Sequence, residues 1–202
     1  MNQIIKNTII LFVITLVAGI CLGTVHDITL DPIAQAQEAA ATKTYQEVYP
    51  DAASFDEPQE LADAVTAAAD SISEWGFGKV TINDAKEALE ASGNQIGYLI
   101  TSTSAESYGG NVQIAVGISN EGELTGIGFL SISDTPGLGM RAKEPDFKDQ
   151  FIGKKAENLE VTKTGASADN QIEAISGATI TSKAVTNATD AAIYFVANCL
   201  AQ

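Results

Sequence analysis

From Asn7 to Val25 the chain carries no charged residue and is dominated by Ile, Leu, Val and Phe. As a helix, an apolar run of about 19 residues spans about 28 Å, close to the hydrocarbon thickness of a bilayer. Lys6 precedes the run, and Asp27 and Asp31 follow it. That asymmetry predicts that 1–25 is a short cytoplasmic N-terminus followed by a single membrane span over 7–25, with the remainder outside. Ala34-Gln35-Ala36 has the form of a signal-peptidase site, but the run is too long for a usual signal h-region and the site lies far beyond it. Ile20 ahead of Cys21 is not the small residue that a lipidation signal requires. A retained anchor is expected.

Residues 26–60 are rich in Ala, Gln, Asp and Glu and include Pro32, Pro50 and Pro58. They read as an acidic tether with a short ordered piece near Tyr45–Tyr49. From 61 onward the pattern is that of a folded domain, 61–202. Leu61, Val65, Ala68 and Ile72 fall on one helical stripe ending at Gly76-Phe77-Gly78, with Trp75 and Phe77 as cover for the core. Asp84–Ala91 has helix-forming residues, yet Ser92-Gly93-Asn94 is a turn and Ile96–Thr103 is strand-like, so a hairpin is expected. Val112, Ile114, Val116 and Ile118 alternate along a strand over 111–119. Asn120–Glu123 is a hairpin turn, and Leu124–Ser133 is the returning strand. Pro145–Phe151 reads as a short helix with Phe147 and Phe151 in contact, and Leu159–Thr164 as another strand. Thr181–Ala201 is a strong helix, with Ala184, Ala188, Ala191, Phe195 and Cys199 in one stripe and Val185, Ala192 and Val196 beside it. The fold class is α+β: an antiparallel sheet packed by helices, behind a membrane anchor.

Composition narrows the function. With 202 residues there is room for one domain with a real core plus the anchor. A formal charge of −15 argues against nucleic acid, whose phosphates need Lys and Arg to displace counterions. Cys21 and Cys199 lie far apart, and His26 is the only histidine. No metal framework, disulfide or iron–sulfur cysteine set is expected, and no G-x-G-x-x-G fingerprint follows a strand.

The candidate chemistry sits near the C-terminus. Ser176-Gly177-Ala178-Thr179-Ile180-Thr181-Ser182 places small and hydroxyl residues directly ahead of the last helix. Such a cluster is a helix start signal, and the free N–H groups behind it suit an anion. A hydroxyl beside a phosphate-friendly helix end is one reading, and a plain N-cap is the other. Lys183 either assists that anion or is a solvated first-turn charge. Two further glycine-marked loops stand upstream: Ser107-Tyr108-Gly109-Gly110, and Asp134-Thr135-Pro136-Gly137-Leu138-Gly139. Glycines there permit close approach of a ligand or another strand.

The three segments, their order and the anchor together resemble the RnfG/NqrC family of FMN-binding electron-transfer subunits, over roughly residues 85–200 plus the anchor. Length and tether look more like the RnfG branch. The resemblance implies FMN joined through a phosphoester to Thr179, installed by a separate flavin transferase that uses FAD, with Ser176, Gly177 and Ala178 in the transferase signature. The family has Asp three residues before this Ser, where this chain has Glu173, and Ser107 stands where Gly is frequent. The cofactor would be gripped by Thr181, Tyr108, Gly109, Gly110, Thr135, Pro136, Gly137, Leu138 and Gly139, with Leu138 covering one face of the ring and Thr135 bonding its edge. It further implies an electron carrier, not a catalyst by itself, among the other membrane subunits of an Rnf-type complex that couples ferredoxin and NAD+ to ion movement. Two other readings stay open at this point: a stand-alone anchored flavodomain, and a tethered binding module without cofactor.

Overall fold

The computed structural model describes residues 2–155 and 157–200. The chain divides into two units, Met1–Thr42 and Lys43–Gln202. In the first, helix α1 (Gln3–Val48) carries the only segment among the described residues that is long and apolar enough to cross a membrane. The Ile, Leu, Val and Phe side chains of that segment are exposed, Leu11 and Phe12 among them, as a lipid-facing helix requires. Thr8, Thr15, Thr24 and Thr29 each turn their hydroxyl back to the carbonyl four residues earlier, which hides a polar group that would otherwise face lipid. The helix continues past the apolar run, with Pro32 inside it. Residues 26–48, whose composition suggests a tether, are therefore helical. The last turn of α1, from Lys43, counts with the second unit.

The second unit is built on a five-stranded antiparallel meander: β1 (Ser54–Asp56), β2 (Val80–Leu89), β3 (Gln95–Ser107), β4 (Gly110–Ser119) and β5 (Leu124–Ile132) pair in sequence order. The hairpin across 92–94 is present, and Ala85 pairs with Ile100 in its ladder. Strand β1, without a sequence signal of its own, pairs Phe55 with Ala88. Helix α2 (Gln59–Ala68) and a 3-10 turn at Ile72–Trp75 bury Leu61, Ala68 and Ile72. Short α3 (Pro145–Lys148) sets Phe147 against Phe151 at 5.7 Å between rings. Strands β6 (Glu160–Thr162) and β7 (Gln171–Glu173) form a separate parallel pair. Helix α4 (Thr179–Phe195) closes the unit and passes into a π-helical turn at Val196–Leu200. The predicted helix thus begins two residues earlier than its pattern suggests, and Ala201 lies outside the described residues.

Both faces of the sheet are covered. On one, Val112, Ile114, Val116 and Ile118 meet Ala184, Val185, Ala188, Ala191 and Phe195 of α4 in the main core. Ala at the contact positions lets α4 come close enough for the buried Ser102 hydroxyl to donate to the Ala188 carbonyl at 2.9 Å. Cys199, read as a buried small hydrophobe, is only partly buried at this core's edge, and the Trp75 ring lies 4.7 Å from that of Tyr194. On the other face, Val48 packs with Leu99 and Ala115, and Tyr49 with Ala52 and Ala88. Glycine at 117 and 128 leaves room for Val48, and the Tyr49 hydroxyl donates to the Ile96 carbonyl at 2.7 Å.

Gly97 sits beneath that tyrosine. A Cβ there would run into the Ile118 carbonyl oxygen and the Tyr49 hydroxyl. The carbonyl belongs to a paired strand and cannot swing away. Gly97→Ala is expected to cost about 1–3 kcal/mol, read as a lower urea midpoint at unchanged slope.

Candidate functional site

The three glycine-marked segments meet at one carboxylate. Asp134 follows β5, and its Oδ2 accepts the Thr181 hydroxyl at 2.6 Å and the Ser107 hydroxyl at 2.8 Å. Its Oδ1 accepts the Thr135 N–H at 2.6 Å, and the Gly109 N–H also reaches the carboxylate. Burial pushes the carboxyl up, but the bonds from Thr181, Thr135 N–H, Ser107 and Gly109 N–H outweigh it and hold Asp134 below the ordinary carboxylate range. The end of β3, the loop after β5 and the first turn of α4 are therefore tied together by a charged acceptor.

The glycines make that closure possible. A Cβ on Gly139 would overlap the Asp134 carboxylate, and one on Gly109 would overlap the Ser133 carbonyl. The Thr135 carbonyl accepts the Leu138 and Met140 N–H groups at 3.1 and 3.3 Å, which winds 135–140 into a compact loop. Leu138, at the top of that loop, lies over Gly177, where a Cβ would stand 3.1 Å from its Cδ2. Gly177 has φ +79, a conformation that disfavours any side chain.

Thr179 is the first helical residue of α4, and Ala178, at the cap position, supplies no side-chain bond. The N–H groups of Thr179, Ile180 and Thr181 have no intrahelical acceptor. Ser182, by contrast, is committed: its hydroxyl donates to the Ala178 carbonyl and accepts the Ile175 N–H, each at 3.0 Å. Thr181 and Ser182 are fully buried, Thr179 is half-buried, and Ser176 and Gly177 are exposed. Among the described residues, no hydrogen bond occupies the Thr179 hydroxyl. The sequence cluster thus resolves into two anchored hydroxyls, Thr181 and Ser182, an exposed one ahead of the helix, Ser176, and the unbonded Thr179 hydroxyl at the bare helix end.

The other residues named from sequence are distributed around this point. Thr135, Pro136 and Gly137 are exposed in the loop, and Gly110 opens β4. Tyr108, Leu138 and Ile180, one from each of the three segments that rim the site, expose 73%, 42% and 55% of their surface. Lys183 is exposed on the helix. Glu173 ends β7, with its N–H donated to the Gln150 side-chain oxygen at 2.7 Å. Sequence reasoning gives no role to Asp134 and treats Ser107 only as a departure. The signal is an acidic residue directly ahead of Thr-Pro-Gly-Leu-Gly, readable once the loop is seen to fold back on it.

A phosphate at a bare helix N-terminus, exposed apolar side chains for a ring and glycine clearance between them fit a flavin mononucleotide. The fold and the site define an FMN-binding domain behind a membrane-type helix. Residues 107–194 match the family model for the FMN-binding domain, and residues 1–48 match that for the RnfG N-terminal region, which ends where α1 ends. The chain is 36% identical, over 96% of its length and 92% of the relative's, to the G component of the Na+-translocating ferredoxin:NAD+ oxidoreductase complex of Acetobacterium woodii. It is 29% identical to the G component of the proton-translocating ferredoxin:NAD+ oxidoreductase complex of Clostridium ljungdahlii, over 95% of this chain and 91% of that one. The G component of the ion-translocating oxidoreductase complex of Methanosarcina acetivorans is 30% identical over 96% and 95%. The chain belongs to the RnfG family.

Proposed function

We propose that the protein is the membrane-anchored electron carrier of an Rnf-type ferredoxin:NAD+ oxidoreductase complex, holding FMN through a phosphoester to Thr179. The observation that carries the reading is the unbonded Thr179 hydroxyl at the uncapped start of α4, beside two hydroxyls that are buried and committed. The Thr179, Ile180 and Thr181 N–H groups would face the phosphate, and Leu138, Tyr108 and Ile180 would lie against the ring. FMN, when bound, supplies the redox chemistry, while the protein sets its position and surroundings.

Attachment by a flavin transferase with FAD as donor balances simply. The Thr179 Oγ–P bond forms at the flavin-side phosphorus, the bond to AMP breaks, AMP leaves, and the hydroxyl proton passes to the transferase. No oxidant or reductant is consumed. The charges around 7–25 support an N-terminus inside and the domain outside, where a covalent bond prevents loss of the flavin by dilution. Relatives divide between Na+ and proton translocation while keeping this component. That supports a role common to both, electron relay, with ion selection residing in other subunits.

The test is the intact mass of the full chain expressed with and without the transferase, followed by peptide mapping. One FMN residue on the peptide containing Thr179 supports the reading. No added mass beside an active transferase overturns it.

A further inference from the structure

Thr179 and Thr181 are two residues apart in a helix, so their side chains point about 200° apart around its axis. Whatever fixes one inward aims the other outward. Thr181 is fully buried and donates to Asp134 at 2.6 Å. The same Asp134 oxygen also accepts the Ser107 hydroxyl at 2.8 Å, which ties it to the end of β3, so the first turn of α4 cannot roll without breaking a charge-assisted bond.

We propose that Asp134 is the positioning residue of the attachment site: by accepting from Thr181 and Ser107 it sets the roll of α4 that presents Thr179, and it withdraws Thr181 as a competing acceptor. This rests on Thr179 being the attachment point. Asp134 does not touch the reacting atoms. It acts through Thr181, and the geometry of its bonds is what matters. An asparagine can supply the same geometry. Its oxygen accepts the Thr135 N–H in place of Oδ1, and its amide, in place of Oδ2, donates to the Ser107 and Thr181 hydroxyls, which turn from donors into acceptors.

The test measures the rate of FMN loading on the full chain, with FAD and a flavin transferase, by intact mass and by mapping the modified peptide. Melting of the unloaded chain is followed alongside. D134A and T181V are expected to load about ten- to a hundredfold more slowly, and D134N to restore most of the rate. Rescue by Asn with a failure of Ala is a pattern that a role for the charge itself would not give. Loading of D134A and T181V at the wild-type rate overturns the proposal, as does D134N failing as completely as D134A. If D134A does not fold, T181V decides, because it leaves Asp134 its three other donors. A wild-type chain that takes no FMN would instead remove the attachment reading itself.

Discussion

Thr179→Ala is expected to remove the flavin from the chain completely, leaving the mass of the bare variant polypeptide and no flavin fluorescence on a denaturing gel. The effect is all or none because no other hydroxyl nearby is available in the same way. Thr181 is buried against Asp134, and Ser182 is bonded on both sides. Ser176 is exposed but lies outside the helix. The substitution is otherwise mild. The Thr179 side chain makes no capping bond, and alanine suits a first helical turn. Stability should stay within about 0.5 kcal/mol of wild type, so loss of flavin cannot be blamed on unfolding. Retained FMN in this variant would transfer the acceptor role to another residue, and peptide mapping would identify it.

Asp190 makes the second large prediction. It lies on α4, only 3% exposed, and its Oδ1 accepts the Leu159 N–H at 2.9 Å. Burial raises its carboxyl to about 7, against the opposing pull of that N–H. Since the folded value lies above the ordinary one, the folded state keeps the proton longer than the unfolded state. Stability from this group is then present at low pH and is lost as pH climbs from the usual carboxylate range through about 7. The difference corresponds to roughly 4 kcal/mol at most. One turn earlier, the Thr186 hydroxyl is buried without a partner among the described residues. Asp190→Asn should keep the Leu159 bond and flatten the fall in urea midpoint between pH 5 and pH 8. A variant with the same pH dependence as wild type would place the titrating group elsewhere.

Most of the sheet was legible because its strands announce themselves by alternation. Val112, Ile114, Val116 and Ile118 share the core face as their spacing requires. The turn at 92–94 outweighed the helix-forming residues before it, and β2 pairs accordingly. Strands β1 and β7 were not legible, since three residues are too few to show a period and each exists only through its neighbour. The helical stretch 26–48 was hidden for the opposite reason: Ala, Gln and Glu favour helix as readily as they favour solvent. At the site, the hydroxyl cluster was readable as a cluster, but composition cannot say which hydroxyl is spent. That depends on Asp134, distant in sequence from Thr181 and brought to it only by the return of α4 across the sheet.

The covering of the sheet's outer face by the last turn of α1 decides how this protein can be cut. Val48 and Tyr49 serve as side chains of the domain, filling space left by Gly117 and Gly128 and holding the Ile96 carbonyl. A water-soluble fragment should therefore begin at or before Lys43. Starting after Pro50, just past the end of α1, would uncover Leu99, Ala115 and Ala88 together and yield a sticky, aggregation-prone product. The stretch that looks like the leash is, at its far end, part of the lid.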